Sequence, residues 1–418
     1  MTPYDTSRRG THAATRSSLG PLLRLGLPVV IVLVVVLGIV QLLRSVPAPA
    51  LSDTYATSRA VPGGPLSVPW PTQGTATVAV EGAASMGSYG GHQQFAIASL
   101  TKMMTALVIL HDHPLSIGQS GPSLTVTPAD VQLYGADKAQ GDSVVAVTAG
   151  EKITELEALE ATLIPSGDNV AQMLATWDAG SIPAFVVRMN QLAGSLGLTD
   201  THYAGPSGVN PATVSTAADQ LKVAEAAMAN PVFAGIVDMA QATLPVAGVV
   251  YNVNADLKIP GIVGVKTGWV PAGGGCFVFA AKRTVDGRSV TVVGDVLGQQ
   301  GATPLNTALS DGAALASAAG TALSVEQVVS GGTKVAAITA PDNPSISLVT
   351  ASSASLLAWP GAILTESLHL TRRLVAPIAK GTRVGYLTVA IGSEKAKVPV
   401  VTTASLSSPS LTWKLTRL

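Results

Sequence analysis

Ser99 and Lys102 stand three residues apart in Ser99-Leu100-Thr101-Lys102. On a helix, positions i and i+3 share a face, so the lysine amine reaches the serine hydroxyl. A serine becomes a nucleophile only when a neighbour takes its proton. A lysine does so only if burial or another cation lowers its pKa. Met103, Met104 and Leu107 supply the apolar surroundings, and among the lysines only Lys102 has a serine three positions before it. Two further elements carry chemistry. Lys266-Thr267-Gly268 follows Val263-Gly264-Val265, so it belongs on a strand, where a lysine and a hydroxyl suit a carboxylate and glycine admits a close backbone. Pro165-Ser166-Gly167-Asp168-Asn169 lies on a loop between two helical segments. Taken singly, each element has a plain structural reading: a helix start, a lysine before a turn, an N-cap.

The elements that must hold these groups follow from periodicity. Ala76–Val80 alternates and reads as a strand. Ser99–His111 is apolar on nearly every face and reads as a buried helix. Thr154 and Glu157 form a capping-box pattern before another helix. Helical spacing continues from Asp168 through Trp177 and over 182–196, and Ser215 is the expected cap of a helix reaching about Ala229. Then the period changes to two. Runs 275–283 and 288–297 flank Val285-Asp286-Gly287, a hairpin signal, and 303–320 returns to an Ala-rich helix. Strands, a helical block, strands and a helix make an α+β fold, its antiparallel sheet built from both ends of the segment. Short strands alone follow, read as a separate small β domain at 325–418.

The chain has 418 residues, 47% hydrophobic and 12% charged, with 25 basic and 25 acidic side chains. That balance excludes a disordered chain and gives no basic excess for nucleic acid. The one cysteine, Cys276, allows no internal disulfide. Leu25–Leu43 is uncharged over nineteen residues, roughly 28 Å as a helix, enough for a bilayer core. Arg8, Arg9, Arg16 and Arg24 precede it, so the expected arrangement is a cytoplasmic basic head (1–24), a transmembrane signal anchor (25–43) and everything beyond outside the cell membrane. A cleaved leader, with Ala48-Pro49-Ala50 as its site, is the competing reading. The Pro/Gly-rich stretch 44–73 reads as an extended stalk.

Order, spacing and context of the three elements match the S-x-x-K, S-x-N and K-T-G set of the penicillin-recognising serine enzymes. The sequence resembles the low-molecular-mass penicillin-binding proteins that are D-alanyl-D-alanine carboxypeptidases. The stretches IASLTKMMTALVIL, SLGLTDTHYAGPSGVN, STAAD, YNVNADL and GVKTGWVPAGGGCFVFAAKR carry that likeness over about residues 75–320. The closing WKLTRL and the N-terminal anchor look like actinobacterial members. The resemblance implies a β-lactamase/transpeptidase-like domain at 74–322. It implies Ser99 as acylated nucleophile, Lys102 as base and Ser166 as proton relay to the leaving amine. Lys266 and Thr267 would hold the substrate's terminal carboxylate beside Gly268. The N–H groups of Ser99 and Trp269 would form the oxyanion hole. The implied substrate is the peptidoglycan pentapeptide stem, with β-lactams as acylating inhibitors and no metal or organic cofactor. One residue departs from the pattern: the third position of S-x-N is Asp168, and the amide is Asn169. Alignment on Ser166 puts Asp168 among the substrate-binding groups, where it could pair with Lys102 and slow acylation; a shifted loop would present Asn169 instead. A class A-like β-lactamase would need a deacylating glutamate, and Glu225 is the only one between Asn169 and Lys266. A catalytically weak, wall-sensing penicillin-binding module is the non-enzymatic alternative.

Overall fold

The computed structural model describes residues 20–53, 58–370 and 374–417. The arginines at 8, 9 and 16 of the expected basic head lie outside the described residues. The apolar run forms helix α1 (Gly20–Leu43), with its side chains from Gly26 onward exposed almost throughout. It is long and apolar enough to cross a membrane.

The central body is a five-stranded antiparallel sheet. Its strands are β1 (Thr75–Val80), β2 (Ala84–Tyr89), β3 (Ile262–Val270), β4 (Gly274–Val285) and β5 (Arg288–Gln299), in the spatial order β3-β4-β5-β1-β2. Both ends of the segment therefore meet in one sheet. Asp286 and Gly287 turn β4 into β5 with positive φ at both residues, the backbone a two-residue hairpin requires.

Between β2 and β3 lies the helical block: α2 (Thr101–Asp112), α3 (Pro128–Gln140), α4 (Glu155–Leu163), α5 (Asp168–Ala179), α6 (Ile182–Ser195), α7 (Ala217–Met228) and α8 (Pro231–Val237). Helix α2 is buried over most of its length, because Met103, Met104, Val108 and Ile109 pack into a core shared with α4, α5 and the inner face of β4. The capping box at Thr154 and Glu157 forms as its spacing predicts. The cap of α7 is Thr216, not Ser215; Ser215 is drawn into a short strand pairing with Phe95. Helix α9 (Pro304–Thr321) covers the opposite face, where a Cβ at Gly312 would lie 2.5 Å from Phe277.

The C-terminal part differs from expectation in two ways. Its apolar core is continuous with the α9 side of the central sheet, so Phe277, Phe279 and Leu315 belong to the same cluster as Val335, Leu348 and Leu387. Its seven-stranded sheet also takes both edge strands, Ala50–Asp53 and Ser58–Ala60, from the stretch read as a stalk. Edge strands carry no need for an apolar alternation, which is why the sequence hid them. Ser58–Ala60 is exposed at every residue and is held by backbone pairing to Ile363–Thr365.

Candidate active site

Ser99 sits in a 3₁₀ turn, Ala98–Leu100, that leads directly into α2. Ala98 before it has φ +49°, a strained value for a residue with a Cβ. The turn is clamped from two sides by glycines. A Cβ at Gly208, itself at φ +88°, would lie 1.8 Å from the Ala98 carbonyl oxygen. A Cβ at Gly268 would stand 2.9 Å from the Ile97 oxygen and 3.1 Å from the Ser99 nitrogen. Strand β3 thus reaches the serine because position 268 lacks a side chain.

Lys102 is fully buried one turn on. Its Nζ donates to Ser99 Oγ (2.8 Å), to Asp168 Oδ1 (2.6 Å) and to the Ser207 carbonyl (2.9 Å). An ammonium has three donors, and all three are used. Burial pushes the Lys102 pKa down, while the Asp168 carboxylate, and more distantly Asp142 and Asp137, pull it back up.

Asp168 opens α5 and takes the third motif position opposite Lys102. Asn169, the residue a shifted loop would have presented to substrate, is turned away from the site. Its amide is fully buried, accepting from Val145 N–H at 2.9 Å and donating to Val145 C=O at 2.9 Å, so both ends are spent on holding the 143–147 segment. Helical geometry forces this choice, since consecutive residues point about 100° apart.

Ser166 is buried on the loop before α5 with φ +65°. Lys266, reaching across from β3, donates to Ser166 Oγ at 3.0 Å and to the Thr267 carbonyl at 3.1 Å. Burial, then the charge of Lys102, lowers the Lys266 pKa to about 7. Thr267 is buried beside it, and Trp269, two residues on, is half exposed. Ser99, Lys102 and Asp168 form one hydrogen-bonded group and Ser166 with Lys266 a second, close enough that the charges of Lys102 and Asp168 act on Lys266. Glu225 lies elsewhere, lining a surface cavity with Glu81, Ala84 and Ser393.

Sequence reasoning did not assign Ser207, Gly208, Asp137 or Asp142. The stretch around Gly208 carried the family likeness, but a backbone carbonyl aimed at Lys102 leaves no side-chain signal. A serine hydroxyl held by one buried lysine, with a second buried lysine within reach of the first one's charge and a glycine at the adjoining strand, suits acyl transfer from a substrate bearing a carboxylate.

Comparison with known proteins agrees with this chemistry. The family described as D-alanyl-D-alanine carboxypeptidase, Peptidase_S11, matches residues 81–300. The D-alanyl-D-alanine carboxypeptidase DacB2 of Mycobacterium tuberculosis is 36% identical over 193 residues, covering 44% of this chain and 62% of the relative. The D-alanyl-D-alanine carboxypeptidase of Streptomyces sp. strain K15 is 32% identical over 216 residues, covering 48% and 71%. The crystal structure of the Streptomyces K15 DD-transpeptidase superposes with a TM-score of 0.52 at 28% identity, over 60% of this chain and 98% of that one. The carboxypeptidase DacD from Francisella tularensis, at 20% identity, shares the fold over 84% of this chain and 97% of its own, with a TM-score of 0.59.

Proposed function

The chain belongs to the D-alanyl-D-alanine carboxypeptidase family of serine hydrolases, and we propose that it removes the terminal D-alanine from peptidoglycan stem pentapeptides through an acyl-enzyme on Ser99. The observation that carries this is the double contact of hydroxyl and lysine: Lys102 Nζ at 2.8 Å from Ser99 Oγ, and Lys266 Nζ at 3.0 Å from Ser166 Oγ.

In this reading the terminal carboxylate binds charged Lys266 and the Thr267 hydroxyl, a charge-assisted contact in a water-poor site. This aligns the peptide carbonyl over Ser99. Lys102, having lost one proton to solvent, accepts the one from Ser99 Oγ as the oxygen attacks the carbonyl carbon. The oxyanion is held by the N–H groups of Ser99 and Trp269. The C–N bond breaks, and the leaving amine takes its proton from Lys102 by way of Ser166. Water then attacks the acyl carbon and frees Ser99. β-Lactams enter the same acylation step. Helix α1 anchors the chain in the cytoplasmic membrane as a single span, with the catalytic body on the outer face.

The test is incubation of the protein with a pentapeptide ending in D-Ala-D-Ala. Release of free D-alanine, lost in Ser99→Ala and Lys102→Ala, is the expected result. Absence of release and absence of covalent labelling by a fluorescent penicillin would overturn the reading. Label persisting in Ser99→Ala would overturn the assignment of the nucleophile.

A further inference from the structure

Residues 413–416 of the closing stretch lie in a last helix, α10 (Leu411–Thr416), and that helix packs on the C-terminal end of α1. Arg417 just beyond it donates to the carbonyls of Gln41 (2.9 Å), Arg44 and Ser45 (3.2 Å). Gln41 Nε2 donates back to the Arg417 carbonyl at 2.8 Å. The last carbonyls of a helix have no partner within it, and a cation there also complements the helix dipole. The Arg417 guanidinium lies 5.1 Å over the Trp413 ring. Leu415 Cδ2 comes within 3.8 Å of where a Cβ on Gly38 would be. At its start α10 is tied to the β domain, since Ser410 N–H donates to Asp342 at 2.8 Å.

We propose that α10 is a latch that closes on α1 and seats in the acidic headgroup layer of the membrane that α1 crosses. Three observations choose lipid as the occupant. Leu411 (69% exposed) and Leu415 (47% exposed), four residues apart on one face, continue the exposed apolar surface of α1. A tryptophan, a lysine and two arginines (Trp413, Lys414, Arg44, Arg417) collect at the level where that apolar run ends, as residues do at a membrane interface. A cavity of about 430 Å³ opens beside them, walled by Val46, Pro47, Pro341 and Val375 with Lys414 as its charge, and a phosphate headgroup fits that chemistry. The wider charge agrees: residues 325–418 hold nine basic and four acidic side chains, whereas 74–322 hold ten and nineteen. An acidic leaflet therefore attracts the β domain and repels the catalytic body.

The latch rests on α1 being retained, as proposed above. Every α1-end group that Arg417 holds lies before Ala48-Pro49-Ala50, so cleavage there would remove the latch's partner.

The test uses the full chain in vesicles of phosphatidylcholine with and without phosphatidylglycerol. Cys276 is fully buried, so a water-soluble maleimide reads introduced cysteines. Leu411→Cys is compared with Ile117→Cys, which is 78% exposed on the catalytic body. The expected result is labelling of Leu411→Cys slowed about tenfold relative to Ile117→Cys in the acidic vesicles, and restored by Arg417→Ala. A Gly38→Cys/Leu415→Cys pair should cross-link on oxidation, which reads the packing without reference to lipid charge. Equal labelling at both positions overturns the latch while leaving the anchor intact. A recovered chain whose mass shows that it begins after Ala50 overturns the anchor, and the latch with it.

Discussion

Replacing Asp168 with Asn should make acylation faster, not slower, at neutral pH. The reason is the proton count on Lys102. Its three donors are matched to three acceptors, Ser99 Oγ, Asp168 Oδ1 and Ser207 O. That is the geometry of an ammonium, which has no lone pair to take the serine proton. Asp168, at 2.6 Å and nearly free of solvent, favours the charged lysine. An opposite charge at such range typically stabilises the ionised form by about 1.4–4 kcal/mol. Wherever the deprotonated lysine is the minor form, removing that charge raises its population by the same free energy, about 10- to 1000-fold. Asp142 and Asp137 also favour charged Lys102 and remain in place in the variant. Asparagine keeps an acceptor for the lysine and leaves the Asn169–Val145 pair untouched. The assay is stopped-flow acylation by a fluorescent penicillin across pH. The acidic limb of the profile should move to lower pH in Asp168→Asn, with an unchanged plateau where Lys102 is neutral in both proteins. A rate that falls at every pH in a folded variant would refute the reasoning and make Asp168 a proton acceptor in its own right.

Three other outcomes follow from the same geometry. Lys266 titrates near 7 and binds a carboxylate only when charged, so KM for the pentapeptide should rise as pH climbs through about 7, and Lys266→Met should show a high KM with no such step. Gly208→Ala should fold yet acylate at least about tenfold more slowly, because its Cβ would strike the Ala98 carbonyl and shift the Ser99 turn; labelling kinetics beside a thermal melt separate the two effects. Glu155 is buried beneath Gly121 with both carboxylate oxygens unpaired, and burial pushes its pKa up to about 7. A carboxyl whose pKa is raised on folding is worth most below the unfolded value, 4.5, and its contribution is lost as pH rises to about 7. Glu155→Gln should therefore remove a decline in stability across that window, a gain at pH 8 of about 1–2 kcal/mol once solvent screening is allowed for, measured by denaturant unfolding at both ends.

The candidate site was legible in the sequence because it rests on residue type and short spacing. Ser99 and Lys102 meet through an i, i+3 relation that any helical turn supplies. The helical block, the Asp286-Gly287 hairpin and the capping box at Thr154 are local patterns too, and they form as their spacing predicts. The stalk reading failed at 50–53 and 58–60, where pairing partners nearly 290 and 305 residues away decide the structure. An edge strand satisfies its backbone through its neighbour and imposes little on its own side chains.

The choice between Asp168 and Asn169 shows the same division at the site. Sequence alone placed a serine and a lysine on one helix face, and the family resemblance added the second lysine and the loop serine as candidates. Neither could say which of two adjacent residues faced Lys102, since that depends on where α5 begins against α2. Tertiary structure decided it by giving Asn169 two backbone bonds to Val145 and leaving Asp168 alone before the lysine. The local sequence thus sets which groups are present, and long-range packing sets their protonation, because burial and the approach of charges from distant segments exist only in the folded chain.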